Sequence, residues 1–244
     1  MKDLFSDDSL RYKQARPAYS AEIVQEILKH VPERTFAWDC GAGSGQFTQL
    51  LAPYFEHVVA TDISAAQLQQ APYFENVSYQ LQAAEQTTIP EHSVDLVTVA
   101  QAIHWFDFEA FYKEVKRVLK AQGVLAVIGY GLIQVQDAAI NALVQQLYAE
   151  TLKDDWDRER RYIDELYQTI PFPFYEQAVP ELRLEYQWTP QQLISYLNTW
   201  SALKHYHDHN TDDPLQPISE VLQAGPEYLG VTFPVLLRVG MREK

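Results

Sequence analysis

The sequence predicts a doubly wound α/β fold, an open and mostly parallel sheet with helices on both faces. Three observations predict it. Short β-leaning segments alternate with segments of helical period through residues 20–130. Runs such as Leu96-Val97-Thr98-Val99 and Val124-Leu125-Ala126-Val127-Ile128 are apolar without alternation, as strands buried on both faces are. A glycine-rich loop, Asp39-Cys40-Gly41-Ala42-Gly43-Ser44-Gly45, joins the first predicted strand to the next helix.

The elements follow in order. Ile23, Val24, Ile27, Leu28 and Val31 recur at three-and-four spacing, launched from Ser20 and halted near Pro32, which predicts an amphipathic entry helix. Residues 35–40 form the first strand, and Phe47, Leu50 and Leu51 resume helical spacing after the glycines. Residues 57–62, 77–81 and 94–99 predict three further strands, with a helix over 65–71. A helix over 109–119, closed by Lys120-Ala121-Gln122-Gly123, leads to a fifth strand at 124–128. Beyond a helix at 137–152, the charged residues 153–161 and the aromatic, proline-bearing stretch to Pro180 read as a surface insertion. Strands at 182–188 and 232–241 are separated by a helix over 190–203 and a polar loop over 205–217. The expectation is one domain spanning 1–244 with seven strands, the last antiparallel. Its core covers about 33–130, under a helical cap from 1–32, 151–180 and 189–230.

Charge narrows the partners. Thirty-three Asp and Glu against nineteen Lys and Arg leave a net charge of −14, a surface that repels phosphate backbones and anionic membranes. No apolar stretch approaches the ~20 residues that span a bilayer. The opening MKDLFSDDSLRYK lacks the apolar segment of a secretory signal, so the expected address is cytoplasmic, as a monomer or homodimer. The lone Cys40 excludes an internal disulfide and a thiolate zinc site. His205, His207 and His209, near Asp208 and Asp212, read as a solvated loop rather than a metal site, and Arg158, Arg160 and Arg161 as a solvated helix face.

The glycine loop presents backbone N–H groups and a positive helix end at the sheet edge, a setting for a nucleoside-like ligand. Gln46 stands where a dinucleotide fingerprint has its third glycine, and no Gly-Lys-Ser or Gly-Lys-Thr closes the loop as in nucleoside triphosphatases. Instead, Asp-x-Gly-x-Gly-x-Gly after a first strand resembles motif I of the S-adenosylmethionine-dependent methyltransferases of the Rossmann-like class, three-layer α/β sandwiches. Tyr12-x3-Arg16-Pro17-x-Tyr19, Ala84-Glu85, and Ser93-Val94-Asp95-Leu96-Val97 running into His104-Trp105-Phe106 narrow the likeness to the group containing methyltransferase type 11 domains and the trans-aconitate methyltransferases, over about residues 12–130.

That resemblance implies methyl transfer from S-adenosylmethionine, leaving S-adenosylhomocysteine, to a small-molecule acceptor. The acceptor is a carboxylic acid of the trans-aconitate type or, alternatively, a phenol, quinone or other hydroxyl; a non-catalytic cofactor-binding module is the remaining alternative. No metal is implied. Cofactor roles fall on Tyr12, Arg16 (the methionine carboxylate), Asp39, Gly41, Gly43, Gly45, Asp62 (both ribose hydroxyls), Ile63 (the adenine face), Ala84, Glu85 and Gln101. Asp62 also reads as a helix cap, and Arg16 as an exposed residue that only starts a helix. Ala83 stands where many relatives carry an aspartate for the adenine amine, which leaves Gln82 or Glu85 to substitute. His104 is either a proton-accepting base or a wall of the acceptor pocket, with Tyr19, Trp105, Trp200 and Tyr206 as further acceptor contacts.

Overall fold

The computed structural model describes residues 15–242. Strand β1 (Phe36–Cys40) lies in the middle of the sheet, paired in parallel with β2 (His57–Asp62) on one side and β4 (Val94–Ala100) on the other. Next to these, β3 (Val77–Leu81) pairs with β2 and β5 (Leu119–Tyr130) with β4, again in parallel. Antiparallel to β5 runs β9 (Leu229–Met241), as the sequence predicts for the last strand. Three short strands, β6 (Gln134–Val135), β7 (Tyr175–Gln177) and β8 (Arg183–Trp188), also pair antiparallel with β9. The described residues thus hold nine strands, two more than expected; β6 and β7, of two and three residues, are too short to show alternation in sequence.

Side chains alternate across the sheet, so each strand feeds two cores. Trp38, Val97, Leu125 and Val127 face α4 (Phe108–Val118) through Phe111 and Val115, whereas Ala37, Leu96, Ala126 and Ile128 face α1 (Ala21–Leu28) through Ile23 and Ile27. The rest of the helices are α2 (Thr48–Leu51), α3 (Ala65–Leu68), α5 (Ala138–Gln146), α6 (Arg161–Asp164), α7 (Pro190–Leu197), α8 (Ser201–His209) and α9 (Gln216–Gln223). Asp107 caps α4 by accepting from the Ala110 N–H, and Asp137 does the same for α5. No helix among the described residues is long and apolar enough to cross a membrane.

Several local expectations change. Helix α1 stops at Leu28, short of Pro32, and Ser20 makes no side-chain cap. Helix α4 ends at Val118 and β5 begins at once; Gln122 rather than Gly123 takes the left-handed conformation, with φ 66°. Gly123 is needed for closeness instead, since a Cβ there would lie 2.9 Å from Leu119 and 3.0 Å from the Lys120 carbonyl. The expected polar loop at 205–217 is partly helical, in the end of α8 and the start of α9, where Ile218 and Leu222 are buried. The expected surface insertion contributes Ile163, Tyr167, Ile170 and Phe174 to the cores.

Phe233 on β9 is wholly buried among the rings of Tyr130, Tyr186, Trp188 and Tyr196, with centroids 5.2–6.3 Å away. Phe233→Ala should cost about 3–5 kcal/mol in urea unfolding. A loss under about 1 kcal/mol would show that the β8–β9 core collapses around the cavity or is dispensable.

Candidate active site

The first strand ends in a turn that only glycine makes easily. Gly41, Gly43 and Gly45 have φ of 68°, 54° and 74°, and a Cβ on Gly41 would sit 2.7 Å from that of Ala102. The turn is pinned from below, where the N–H groups of Gly41 and Ala42 donate to the Thr61 carbonyl at 2.8 and 3.0 Å. Asp39, fully buried, accepts from the Thr48 hydroxyl at 2.6 Å and the Thr98 hydroxyl at 2.8 Å. Burial pushes its carboxyl up to about 6, against the pull of those two hydroxyls. Asp39 borders neither cavity of the site; it fastens β1 to α2 and β4.

Asp62 closes β2 and reaches back to the turn. One oxygen accepts from Gly43 N–H at 2.9 Å and the other from Ser64 N–H at 2.8 Å. The cap of α3 is Ser64, whose hydroxyl accepts from Gln67 N–H. The same carboxylate borders the cavity above.

That cavity is bordered by Arg16, Tyr19, Gly41, Gly43, Asp62, Ile63, Gln101 and Trp105, all expected from the sequence, and by Phe47, Gln67 and Tyr130, which were not. A carboxylate, a guanidinium and the apolar Ile63 side chain on one lining suit a nucleoside that carries an amino-acid tail. Arg16 is no exposed helix starter: it donates to the Tyr130 hydroxyl and the Thr199 carbonyl, both at 3.1 Å, and lies over the Tyr196 ring. Gln101, at φ 55°, turns its side-chain amide onto the backbone of Tyr130. Tyr130, at the C-terminal end of β5, could have been found from the rule that such sheets bind ligands at that edge.

Other expected residues lie elsewhere. Ala84 is buried and Glu85 accepts from Asp107 N–H at 3.2 Å, and neither borders the cavity. The Gln82 amide is occupied by Thr88. Gly45 is pressed against Tyr79, Ala71 and Pro72. Tyr206 is turned to Asp212 at 2.9 Å, away from both cavities. Tyr12 lies outside the described residues. His205, His207 and His209 fall on α8, with His205 at the Asp155 carbonyl and His209 at its carboxylate; no group of three or more metal-ligating side chains gathers among the described residues.

A smaller cavity shares Arg16, Gln101 and Trp105 with the first and adds His104, Trp156, Asp157, Arg160 and Trp200. His104 is buried, its Nδ1 lies 3.2 Å from the Tyr167 hydroxyl, and burial with the charges of Arg160 and Arg16 lowers its pKa to about 3. The ring is therefore neutral at physiological pH. Sequence alone did not separate Arg160 from its neighbours. Arg158 and Arg161 are exposed, whereas the Arg160 side chain is only 13% exposed, packed on Tyr148 and Trp156. Its Nε donates to the Tyr148 hydroxyl at 3.0 Å and lies 3.6 Å from Asp164, but its terminal nitrogens donate no hydrogen bond among the described residues. A short 3-10 turn over Arg158–Arg160 sends this third residue inward, and nothing in the local sequence marks it.

Residues 38–127 match the family model described as a methyltransferase domain. A Dictyostelium discoideum protein named as a methyltransferase is 36% identical over 251 residues, covering 99% of this chain and 95% of that protein. A solved structure described as a type II methyltransferase from Anaeromyxobacter dehalogenans superposes with a TM-score of 0.85 at 39% identity, over 94% of this chain and 99% of that one. A Saccharomyces cerevisiae protein named as an S-adenosylmethionine-dependent methyltransferase is 32% identical over 128 residues, 49% of this chain and 44% of its own length.

Because Asp39 titrates at about 6 when folded and near 3.8 otherwise, its contribution to stability is complete below about 3.8 and lost as pH rises through about 6. Asp39→Asn does not titrate. Wild-type stability should therefore fall relative to the variant by about 3 kcal/mol across that window in urea melts; a difference independent of pH would rule out a carboxyl buried in this way.

Proposed function

The chain belongs to the S-adenosylmethionine-dependent methyltransferases, and on that premise we propose that it methylates a small-molecule carboxylate, releasing S-adenosylhomocysteine. The observation that carries this reading is the inner cavity, where two guanidiniums, Arg16 and Arg160, outnumber the one carboxylate, Asp157, around a neutral His104. A phenol with a pKa near 10 needs a base to become nucleophilic, and an imidazole titrating near 3 is too weak for that task. A carboxylate is already ionised at neutral pH, and its two oxygens match the fork of a guanidinium such as that of Arg160.

S-adenosylmethionine, when bound, supplies a methyl carbon activated by a sulfonium. The protein's task is to hold and orient. Asp62 is proposed to accept from the ribose hydroxyls, Arg16 to pair with the tail carboxylate, and Ile63 to lie along the adenine, with Ala84 and Glu85 flanking that ring less directly. Gly41 and Gly43 keep the backbone clear of side chains where the ligand passes. Such positioning, in a space lined by Trp105, Trp156 and Trp200, can contribute about 7–11 kcal/mol without a covalent intermediate or a metal. On this reading the chain works as one unit, residues 33–130 carrying the cofactor and segments 151–180 and 189–230 covering it.

Calorimetry with S-adenosylhomocysteine, then mass spectrometry of carboxylic-acid panels for one added methyl group, tests the proposal. Binding without any methylated product would favour a non-catalytic module. Asp62→Ala should weaken S-adenosylhomocysteine roughly 10- to 100-fold, the value of one or two hydrogen bonds to a charged group. Arg160→Ala should raise KM for the acceptor at least about tenfold while leaving S-adenosylhomocysteine affinity unchanged. The pH profile of kcat/KM should be flat between about 5.5 and 8; an inflection near 6.5 that disappears in His104→Gln would favour a hydroxyl acceptor instead.

A further inference from the structure

We propose that Tyr167 is a positioning residue: its hydroxyl donates to Nδ1 of His104 and so fixes the tautomer whose Nε2–H faces the acceptor cavity as a hydrogen-bond donor. The inference rests on the methyltransferase reading above and decides which of two roles His104 takes within it.

The geometry carries it. Tyr167 is wholly buried and its hydroxyl has one hydrogen-bond partner among the described residues, Nδ1 of His104 at 3.2 Å. The ring cannot slide away, because it lies on the backbone of Gly129, where a Cβ would come within 2.7 Å of it. Its backbone is held in an uncommon conformation. Leu166 and Tyr167 have φ of 55° and 60°, two successive left-handed residues neither of which is glycine. A clamp from β9 maintains them: Arg238 donates to the carbonyls of Tyr167 and Ile170 at 2.9 and 2.8 Å while its guanidinium grips both oxygens of Glu176 at 2.7 and 2.9 Å. Strain that persists because surrounding contacts over-determine it concentrates at functional sites.

Proton accounting then selects the tautomer. Burial pushes the Tyr167 phenol well above its ordinary range, so it keeps its proton, and a buried O–H needs an acceptor. Nδ1 provides one only if the imidazole proton resides on Nε2. Since the His104 ring borders the smaller cavity and Nδ1 is taken, Nε2 is the nitrogen left to face it. The opposite tautomer would strand the Tyr167 proton and leave Nε2 as an acceptor, the posture of a general base. His104 and Arg160 both border this cavity, with Asp157 beside them, so an Nε2–H adds a donor for an acceptor that arrives already ionised.

The test is long-range 1H–15N correlation NMR of the 15N-labelled full chain with S-adenosylhomocysteine, the His104 signals assigned by their loss in His104→Gln. Wild type should show a protonated Nε2 and a bare Nδ1. Tyr167→Phe should move His104 to a mixture or to the other tautomer and raise acceptor KM about tenfold with S-adenosylhomocysteine affinity unchanged. A protonated Nδ1 in wild type overturns the proposal even if the variant does not fold, as does a variant with unaltered tautomer and KM. The predicted tautomer in a chain that methylates no carboxylate supports the Tyr167 assignment and sinks the acceptor reading alone.

Discussion

The carboxylate of Asp39, shut away from water and held by the hydroxyls of Thr48 and Thr98, joins three elements at the point where the chain leaves the first strand. One residue earlier it would lie in the middle of the strand; two residues later the glycine turn has begun. Its burial is unfavourable to its charge, and the raised pKa records that cost. What it secures is register. With α2, β1 and β4 locked together, the turn must rise over the sheet edge where Asp62, Ile63 and Gln101 end their own strands, and the crevice between them follows.

Electrostatics inside the crevice run against those of the surface. A chain with net charge −14 places two guanidiniums, Arg16 and Arg160, on the wall of one small cavity. At a distance the acidic exterior disfavours large polyanions. At contact range the two arginines outnumber the single carboxylate of Asp157, and burial, with their charges added, depresses the protonation of His104. An imidazole in such company is better suited to lending its proton in a hydrogen bond than to accepting another.

Gly41, Asp62 and Gln101, legible in the sequence, obey one rule: they sit at or just beyond strand ends in a parallel sheet. Arg160 and Tyr167 obey no such rule. They come from a stretch with a π-turn, a 3-10 turn and a four-residue helix, where no period is long enough to show which side faces inward. Three arginines within four positions look alike until the turn chooses one. The helix α9 was hidden for a different reason: Pro217 and the polar residues before it read as loop, although proline is tolerated in a first helical turn. Glycine misled once, at Gly123, where crowding rather than handedness is the constraint.

Strand β9 has thirteen residues and four partners, its first half pairing with β6 and β8 and its second with β5 and β7, the change falling near Pro234. All four partners precede it in the chain. During synthesis each of them must therefore wait with an open edge, and the hydrogen-bond ladders on that half of the sheet close together, late, through contacts distant in sequence. A nascent or truncated chain ending before residue 229 would expose β5 as an unprotected seam for association with other chains. The same strand carries Arg238, so the clamp on Tyr167 is assembled in that last step, and the inner cavity acquires its final shape only when the sheet is complete.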